Sequence, residues 1–354
     1  MRAAGLLLLP RALLRPSTPT APPPRCHTIA TAPALDTTLE ALAERYDAFL
    51  IDQFGVIHDG AQAYEGAVDA MSYLQRRGRK VVIISNSSRR KGDTVARLRS
   101  MGFGPVDGGD VASSDGSVPA ISVVTSGDIV FDGLCDDPAE PPFTGLGDRC
   151  LVFGNGADDA EYVAGCGRTA ADADTADFIL ARGLFTIVGE GGVSGAYSAA
   201  EEERALQTAL KRAPGGLPLL VANPDEVRPD GADSPMPGQL ARRYESLGGA
   251  DVRRVGKPHG LIYERCRAAL GAAGLPSSAR VLAVGDSLHH DVLGAARHDI
   301  ASLLVCNGVH SAELGVAQGG DGEPDAAALE ALLRRFAAES DAAPTHVMRA
   351  FRLA

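Results

Sequence analysis

Short apolar runs that end in polar residues recur along this chain, and segments with helical spacing separate them. The first run is 46–54 (YDAFLIDQF), and the second, 80–85 (KVVIIS), is rich in β-branched residues. The helical segments at 61–77 and 90–101 are each followed by a glycine, which is a common helix terminator. This alternation predicts an α/β fold whose core is a doubly wound, Rossmann-like parallel sheet covered by helices.

Two segments rich in proline, glycine and acidic residues interrupt this pattern. They cover 136–148 and 223–238, and a second series of strand-like and helix-like segments lies between them. A chain that leaves one αβ layer, builds another and returns describes an inserted domain. We therefore predict a core formed by 36–138 and 239–354, with an α/β cap inserted at 139–238.

The first 35 residues differ in composition from the rest of the chain. They contain no Asp or Glu, and four arginines are spread among Ala, Leu, Ser, Thr and Pro. An acid-free leader that carries arginine resembles a transit peptide, which predicts a mitochondrial or plastid protein. The alternative is a Pro-rich extension without targeting information in a cytoplasmic protein.

Charge and apolar content limit the partners of the chain. The net charge is −11 and Trp is absent, so neither a broad basic face nor an aromatic platform for nucleic acid is expected. No stretch reaches the ~18 apolar residues of a membrane-spanning helix. The six cysteines contain no CxxC pair, which indicates reduced thiols rather than a metal site.

Polar and charged residues stand at the predicted strand ends, where open α/β sheets bind their ligands. These positions are Asp52 after the first strand, Ser85-Asn86-Ser87 after the second, Gly256-Lys257-Pro258 before a helix, and Gly285-Asp286-Ser287 with Asp291 after a later strand. Each alone has an ordinary explanation as a turn, a helix cap or a surface ion pair. Their order along the chain favours one shared site.

Together these motifs resemble those of the haloacid dehalogenase superfamily. DQFGVIHDG resembles its first motif, IISNSS its second, GKPHGLIYERC its third and VLAVGDSLHHDVLGA its fourth. The NPD at 223–225 resembles the segment through which the chain leaves the cap. The resemblance covers nearly the whole chain after the leader. It is to the nitrophenylphosphatase-like class IIA, in which an α/β cap follows the second motif.

The resemblance implies a Mg²⁺-dependent hydrolase that acts on a small phosphorylated metabolite. Asp52 would attack phosphorus and form an aspartyl-phosphate, which water then hydrolyses. The implied oxygen ligands for Mg²⁺ are Asp52, the backbone carbonyl of Phe54, Asp286 and Asp291.

The resemblance also implies how the phosphoryl group is held. Ser85 would hydrogen-bond its oxygens, and Lys257 would neutralise charge on the nucleophile and the phosphate. The implied substrate-binding neighbours are Asn86, Ser87 and Gly55.

One position departs from the family pattern. Phosphatases of this family carry a second Asp two residues after the nucleophile, where it protonates the leaving oxygen, and this chain has Phe54 there. Sequences with an aromatic residue at this position form a subgroup that the chain resembles. General acid–base help contributes roughly 10²–10⁴-fold to such reactions. We hypothesise that His58 supplies it; the alternative is a histidine in solvent or packed against the cap.

Other functions stay open beside the phosphatase. Phe54 favours a phosphate- or metabolite-binding protein with weak turnover, and the same scaffold supports C–X or C–P cleavage. An oxidoreductase is disfavoured because the glycine-rich stretches at 154–156 and 189–195 do not complete G-x-G-x-x-G. A transition-metal site at His289-His290 is disfavoured because adjacent helical side chains diverge. The sequence leaves open whether a homodimer forms and what the 189–195 loop does.

Overall fold

The computed structural model describes residues 37–107, 118–135, 140–156, 158–192, 194–227 and 235–354. The leader predicted at 1–35 lies outside these residues, as does the predicted passage from core to cap at 138–139. Within the described ranges, no helix is long and apolar enough to cross a membrane.

The core is built on a parallel seven-stranded sheet. Its strands, in spatial order, are β14 (His346–Met348), β13 (Ala301–Val305), β12 (Val281–Gly285), β1 (Ala48–Ile51), β2 (Lys80–Ser85), β4 (Ile121–Thr125) and β3 (Val106–Asp107). The strand order reverses at β1, which pairs with β2 on one side and β12 on the other. Such a reversal opens a crevice at the carboxyl ends of the strands.

Helices cover both faces of this sheet. They are α1 (Leu39–Arg45), α2 (Ala67–Arg76), α3 (Lys91–Ser100), α4 (Ser126–Cys135), α8 (Gly260–Ala272), α9 (Leu293–Arg297) and α10 (Ala326–Ser340), with a π-helical turn at Leu288–Val292. Along β1, Ala48 and Leu50 pack into one hydrophobic cluster, and Phe49 and Ile51 pack into another. A strand buried on both faces explains why the sequence shows a continuous apolar run instead of alternation.

A second sheet, the cap sheet, is inserted between α4 and α8. Its strands, in spatial order, are β11 (Val252–Arg254), β10 (Leu219–Val221), β7 (Phe178–Ala181), β5 (Arg149–Gly154), β8 (Thr186–Val188) and β9 (Ser194–Ala196), and β6 (Thr169–Ala170) also pairs with β5. The accompanying helices are α5 (Asp159–Gly165), α6 (Ala199–Arg212) and α7 (Pro237–Ser246). This arrangement confirms the predicted α/β core with an inserted α/β cap.

The cap extends further along the chain than the sequence predicted. β11 pairs with β10 in parallel, so the cap sheet ends at Arg254 and the predicted return to the core at 239 is wrong. This strand is difficult to predict from the sequence because it is short, half-buried and rich in arginine. Arg254 is held by an ion pair with Glu245 at 2.8 Å, so polar contacts replace the apolar run that identifies other strands.

Arg182, directly after β7, connects the cap to the core. Its side chain is fully buried, and its two terminal nitrogens lie 2.6 Å from Asp159 and 2.8 Å from Asp158. Its guanidinium carbon stacks 3.6 Å from the ring centre of Tyr162. Its backbone carbonyl accepts a hydrogen bond of 2.5 Å from the hydroxyl of Ser88, in the core loop after β2. One residue therefore organises the cap interior and contacts the core.

We predict that Arg182→Met destabilises the protein by about 3–5 kcal/mol, because removing one partner leaves a buried carboxylate without its counter-charge. The free energy of unfolding in urea checks this. Arg204→Met, on the exposed face of α6, is the matched control and should cost less than about 0.5 kcal/mol. Equal losses in the two variants would contradict the prediction.

Candidate active site

Three carboxylates meet at the carboxyl ends of neighbouring core strands. Asp52 follows β1, Asp286 follows β12, and Asp291 lies in the π-helical turn that comes next. One oxygen from each lies within 4.8 Å of the others, and among the described residues this is the group placed to hold a metal ion. Hard carboxylate oxygens at this spacing suit a divalent cation such as Mg²⁺.

Glycines leave room for these carboxylates. A Cβ atom on Gly55 would lie 2.0 Å from a carboxylate oxygen of Asp286, and one on Gly308 would lie 2.1 Å from the same atom. A Cβ atom on Gly285 would lie 2.0 Å from the carboxyl carbon of Asp291. The acidic side chains therefore pack against bare backbone, and any larger residue at these positions would displace them.

Gly55 and Phe54 differ in what their backbones offer to the site. The amide of Gly55 donates to the carbonyl of His58, and the residue makes space for Asp286, while its substrate-binding role stays a prediction. No donor in the described part of the chain reaches the Phe54 carbonyl. This leaves that oxygen available as the metal ligand that the first motif implies.

Lys257 is the counter-charge of the acidic cluster. Its buried ammonium lies 2.8 Å from one oxygen of Asp52 and 2.8 Å from one oxygen of Asp291. Burial alone would lower the pKa of Lys257, but the two carboxylates outweigh burial and raise the pKa above its usual value. Lys257 therefore stays charged and joins the nucleophile predicted at Asp52 to the metal side of the site.

The cluster contains more negative charge than Lys257 can balance. Burial raises the pKa of Asp52 to about 7, although Lys257 opposes this rise. Burial, with the nearby charges of Asp52 and Asp291, raises the pKa of Asp286 well above its ordinary value. Three carboxylates around one ammonium thus leave an excess charge that a divalent cation would neutralise.

We predict that Mg²⁺ raises the melting temperature, because the ion binds the folded cluster and not the unfolded chain. At a concentration of 100 times Kd the stabilisation is about 2.7 kcal/mol. Thermal unfolding with and without Mg²⁺ measures it. Asp286→Asn should abolish the increase, and Asp69→Asn, on the exposed surface of α2, should retain it. An unchanged increase in Asp286→Asn would place the ion elsewhere.

A hydrogen-bond chain fixes the direction of the Ser85 hydroxyl. Nδ1 of His58 accepts from the amide of Gly60 at 3.0 Å, which places the ring proton on Nε2. Nε2 then donates to Oε1 of Gln53 at 3.3 Å, and the amide nitrogen of Gln53 donates to Oγ of Ser85 at 2.5 Å. The amide of Ser87 donates to the same Oγ at 3.1 Å. With both lone pairs occupied, the Ser85 proton is free to point into the cavity.

This geometry corrects the hypothesis that His58 is the acid–base residue. His58 is fully buried and both of its ring nitrogens are engaged. Burial, helped by the positive charge of Arg97, lowers its pKa to about 4, so the ring is neutral at neutral pH. His58 supports Gln53 instead, and Gln53 is a site residue that the sequence reasoning missed.

Asn86 and Ser87 line the same cavity, but Asn86 has a different role from the one predicted. Its side-chain oxygen accepts from the amide of Lys257 at 2.6 Å, and its nitrogen donates to the Lys257 carbonyl and to Asp225. The Asn86 side chain is therefore used to hold Lys257 and the cap loop after β10 rather than substrate. Ser87 has intermediate exposure, and its substrate-binding role stays a prediction.

We predict that Gln53→Leu weakens the binding of inorganic phosphate in the presence of Mg²⁺, because the Ser85 hydroxyl loses its orienting donor. One hydrogen bond is worth about 1 kcal/mol, which corresponds to a roughly fivefold higher Kd. Calorimetric titration measures this Kd. Gln62→Leu, in the exposed part of the same loop, should bind phosphate as the wild type does. Equal affinities of all three proteins would show that the chain does not orient Ser85.

The cluster opens into a cavity of about 680 Å³. Residues of both the core and the cap line it: Asp52, Gln53, Phe54, His58, Ser85, Asn86, Ser87, Arg97, Asn223, Asp225, Glu226, Val227, Met236, Arg242, Lys257, Asp286, Ser287, His289, His290, Val309 and His310. His290 pairs with Asp225 at 3.3 Å, whereas the ring of His289 packs edge-on against Phe336 at 5.4 Å. These two histidines therefore have different partners.

Comparisons with known proteins agree with this geometry. A family described as haloacid dehalogenase-like hydrolase matches residues 49–168, and one described as HAD-hydrolase-like matches residues 254–330. Human chronophin is 28% identical over 272 residues, which cover 76% of this chain and 84% of chronophin. The chain belongs to the haloacid dehalogenase superfamily of hydrolases, which confirms the resemblance of its motifs.

Solved structures share this fold. A hydrolase of the haloacid dehalogenase-like family from Brucella suis matches with a TM-score of 0.62 and 26% identity, over 89% of this chain and 99% of that one. Glycerol phosphate phosphatase from Mycobacterium tuberculosis, solved in complex with magnesium, matches with a TM-score of 0.57 and 23% identity, over 89% of this chain and 77% of that one. The same enzyme has also been solved with calcium.

Proposed function

We propose that this protein is a Mg²⁺-dependent phosphatase that cleaves a small phosphorylated metabolite through an aspartyl-phosphate on Asp52. The observation that carries the proposal is the cluster itself, in which Asp52 shares Lys257 with Asp291 and lies beside Asp286. The Asp52 side chain is 14% exposed and lines the cavity, so its carboxylate is accessible to a substrate. The mycobacterial relative is named for a small phosphate ester, D-glycerol 3-phosphate, which supports a substrate of similar size.

The side chains divide the work of phosphoryl transfer. Asp52 attacks phosphorus with one carboxylate oxygen, and Lys257 neutralises the charge that builds up between that carboxylate and the phosphoryl group. The Ser85 hydroxyl, aimed by Gln53, donates to a phosphoryl oxygen. Bound Mg²⁺ would supply further neutralisation at the oxygens of Asp52, Asp286, Asp291 and the Phe54 carbonyl. Most of the catalysis is positioning and electrostatics.

We predict that the full chain releases phosphate from nitrophenyl phosphate in Mg²⁺ and not after chelation. Asp52→Asn should reduce kcat/KM by about 10³-fold or more, because the covalent route is lost. Asp69→Asn removes an equivalent charge from the exposed surface of α2 and should leave the rate unchanged. Release of phosphate measured by a coupled assay checks all three proteins.

Two other results would assign a different function to the protein. Wild-type release no greater than that of Asp52→Asn would identify a binding protein, the alternative that Phe54 favours. Cleavage of C–X or C–P substrates, with no activity on phosphate esters, would assign a different reaction to the same nucleophile.

A further inference from the structure

The phenyl ring of Phe54 lies close to the proposed nucleophile. Phe54 follows Asp52 by two residues, and both line the same cavity. Its ring packs edge-on against His58 with 5.5 Å between ring centres. A Cβ atom on Gly60 would lie 2.7 Å from the ring, so the loop holds the ring closely. A phenyl ring fixed here offers no proton to a departing oxygen.

The ionisable neighbours of this ring are already engaged with protein. His58 uses both of its nitrogens inside the loop. Asp225 accepts from Asn86 at 2.7 Å and lies 3.3 Å from His290. In the described part of the cavity wall, the carboxylates outside the metal cluster are thus paired, because Glu226 also binds Arg242 at 2.6 Å.

The other imidazoles of the cavity have partners as well. Nε2 of His310 accepts from the amide of Leu288 at 3.4 Å, and His289 packs against the ring of Phe336. Among the described residues, each carboxylate and imidazole that lines the cavity outside the metal cluster thus contacts another protein group, and the residue two positions after the nucleophile is a phenylalanine.

Arg97 provides a positive charge in the cavity that Phe54 lines. Arg97, on α3, lines the cavity with an exposed side chain. Its guanidinium makes no hydrogen bond or ion pair with any described residue. A cation at this position favours negative charge on a group that leaves past Phe54.

We infer that the leaving group departs as an anion, and that the substrate carries its phosphoryl group on an acidic oxygen, as in an aryl or acyl phosphate, rather than on an alcohol. This inference rests on the proposed phosphatase function. As the Asp52–phosphorus bond forms, the bond from phosphorus to the leaving oxygen breaks, and its electron pair stays on that oxygen. Water then attacks the aspartyl-phosphate, the electron pair of the Asp52–phosphorus bond returns to the carboxylate, and the proton lost by water passes to solvent.

The effect on different substrates follows from the stability of the departing anion. A general acid contributes about 10²–10⁴-fold when the leaving oxygen is strongly basic, as an alkoxide is. It contributes little to a phenoxide or carboxylate, which are stable anions. A site without this acid therefore discriminates against alkyl phosphates and cleaves acidic leaving groups at nearly full rate.

The test is the dependence of kcat/KM on the acidity of the leaving group. A series of aryl phosphates from nitrophenyl to phenyl, with glycerol phosphate as the alkyl member, is measured with the full chain in Mg²⁺. We compare kcat/KM because it reports the first step, in which the leaving group departs. The second step, hydrolysis of the aspartyl-phosphate, is the same for all substrates. We expect a fall of about 10²-fold or more from nitrophenyl to glycerol phosphate. Equal values across the series would overturn the inference.

Two matched variants separate proton donation from binding. Phe54→Asp should raise kcat/KM for glycerol phosphate by about 10²-fold relative to Phe54→Asn, which has the same shape and no acidic proton. The two variants should act alike on nitrophenyl phosphate. If both variants act alike on glycerol phosphate as well, the inference fails. If Phe54→Asp does not fold, the wild-type series alone decides.

The outcome also distinguishes the inference from the proposed function. Absence of Asp52-dependent phosphate release from every substrate would refute the phosphatase itself. Release from all of them without leaving-group dependence would refute only the substrate class. Acetyl phosphate, added to the series, tells an acyl from an aryl source: faster turnover than nitrophenyl phosphate assigns the acyl class, and slower turnover assigns the aryl class.

Discussion

The site depends on one buried ammonium group between two carboxylates. Charges of like sign repel strongly where water is excluded, and Asp52, Asp286 and Asp291 are crowded within 4.8 Å at the end of the core sheet. Lys257, at 2.8 Å from two of them, makes this crowding tolerable before any metal binds. It also leaves part of the negative charge unbalanced, and this residual charge makes the cluster a site for a divalent cation.

The surrounding structure maintains that balance. The parallel pairing of β1 and β12 brings Asp52 and Asp286 to the same edge. Gly55, Gly285 and Gly308 allow the carboxylates to approach the backbone. The same first loop that supplies the nucleophile also supplies Gln53 and Phe54, so a few consecutive residues determine the attacking atom, the orientation of Ser85 and the surface that the leaving group meets.

The sequence predicted those parts of the site that depend on local pattern. Asp52, Lys257, Asp286 and Asp291 follow apolar strands or precede helices, and the structure brings all four together. The roles of Gln53 and Asn86 could not be predicted, because Gln53 acts on Ser85, 32 residues away, and Asn86 acts on Lys257, 171 residues away. His58 shows the same limit: its residue type suggested proton transfer, but its burial and its two hydrogen bonds are properties of the folded loop. The end of the cap was missed because β11 has charged residues where other strands have apolar ones.

The hydrogen bonds of Asn86 limit how the core and the cap can evolve independently. This one amide side chain binds Asp225, in the cap loop after β10, and the backbone of Lys257, in the core. The cap is therefore not a module that can be exchanged without regard to this contact. A cap taken from another protein would assemble a working lysine only if its loop after β10 were compatible, so this cap loop and the core loop that holds Asn86 are expected to change together. Substrate range can diversify through the cap interior, while this loop remains tied to the chemistry.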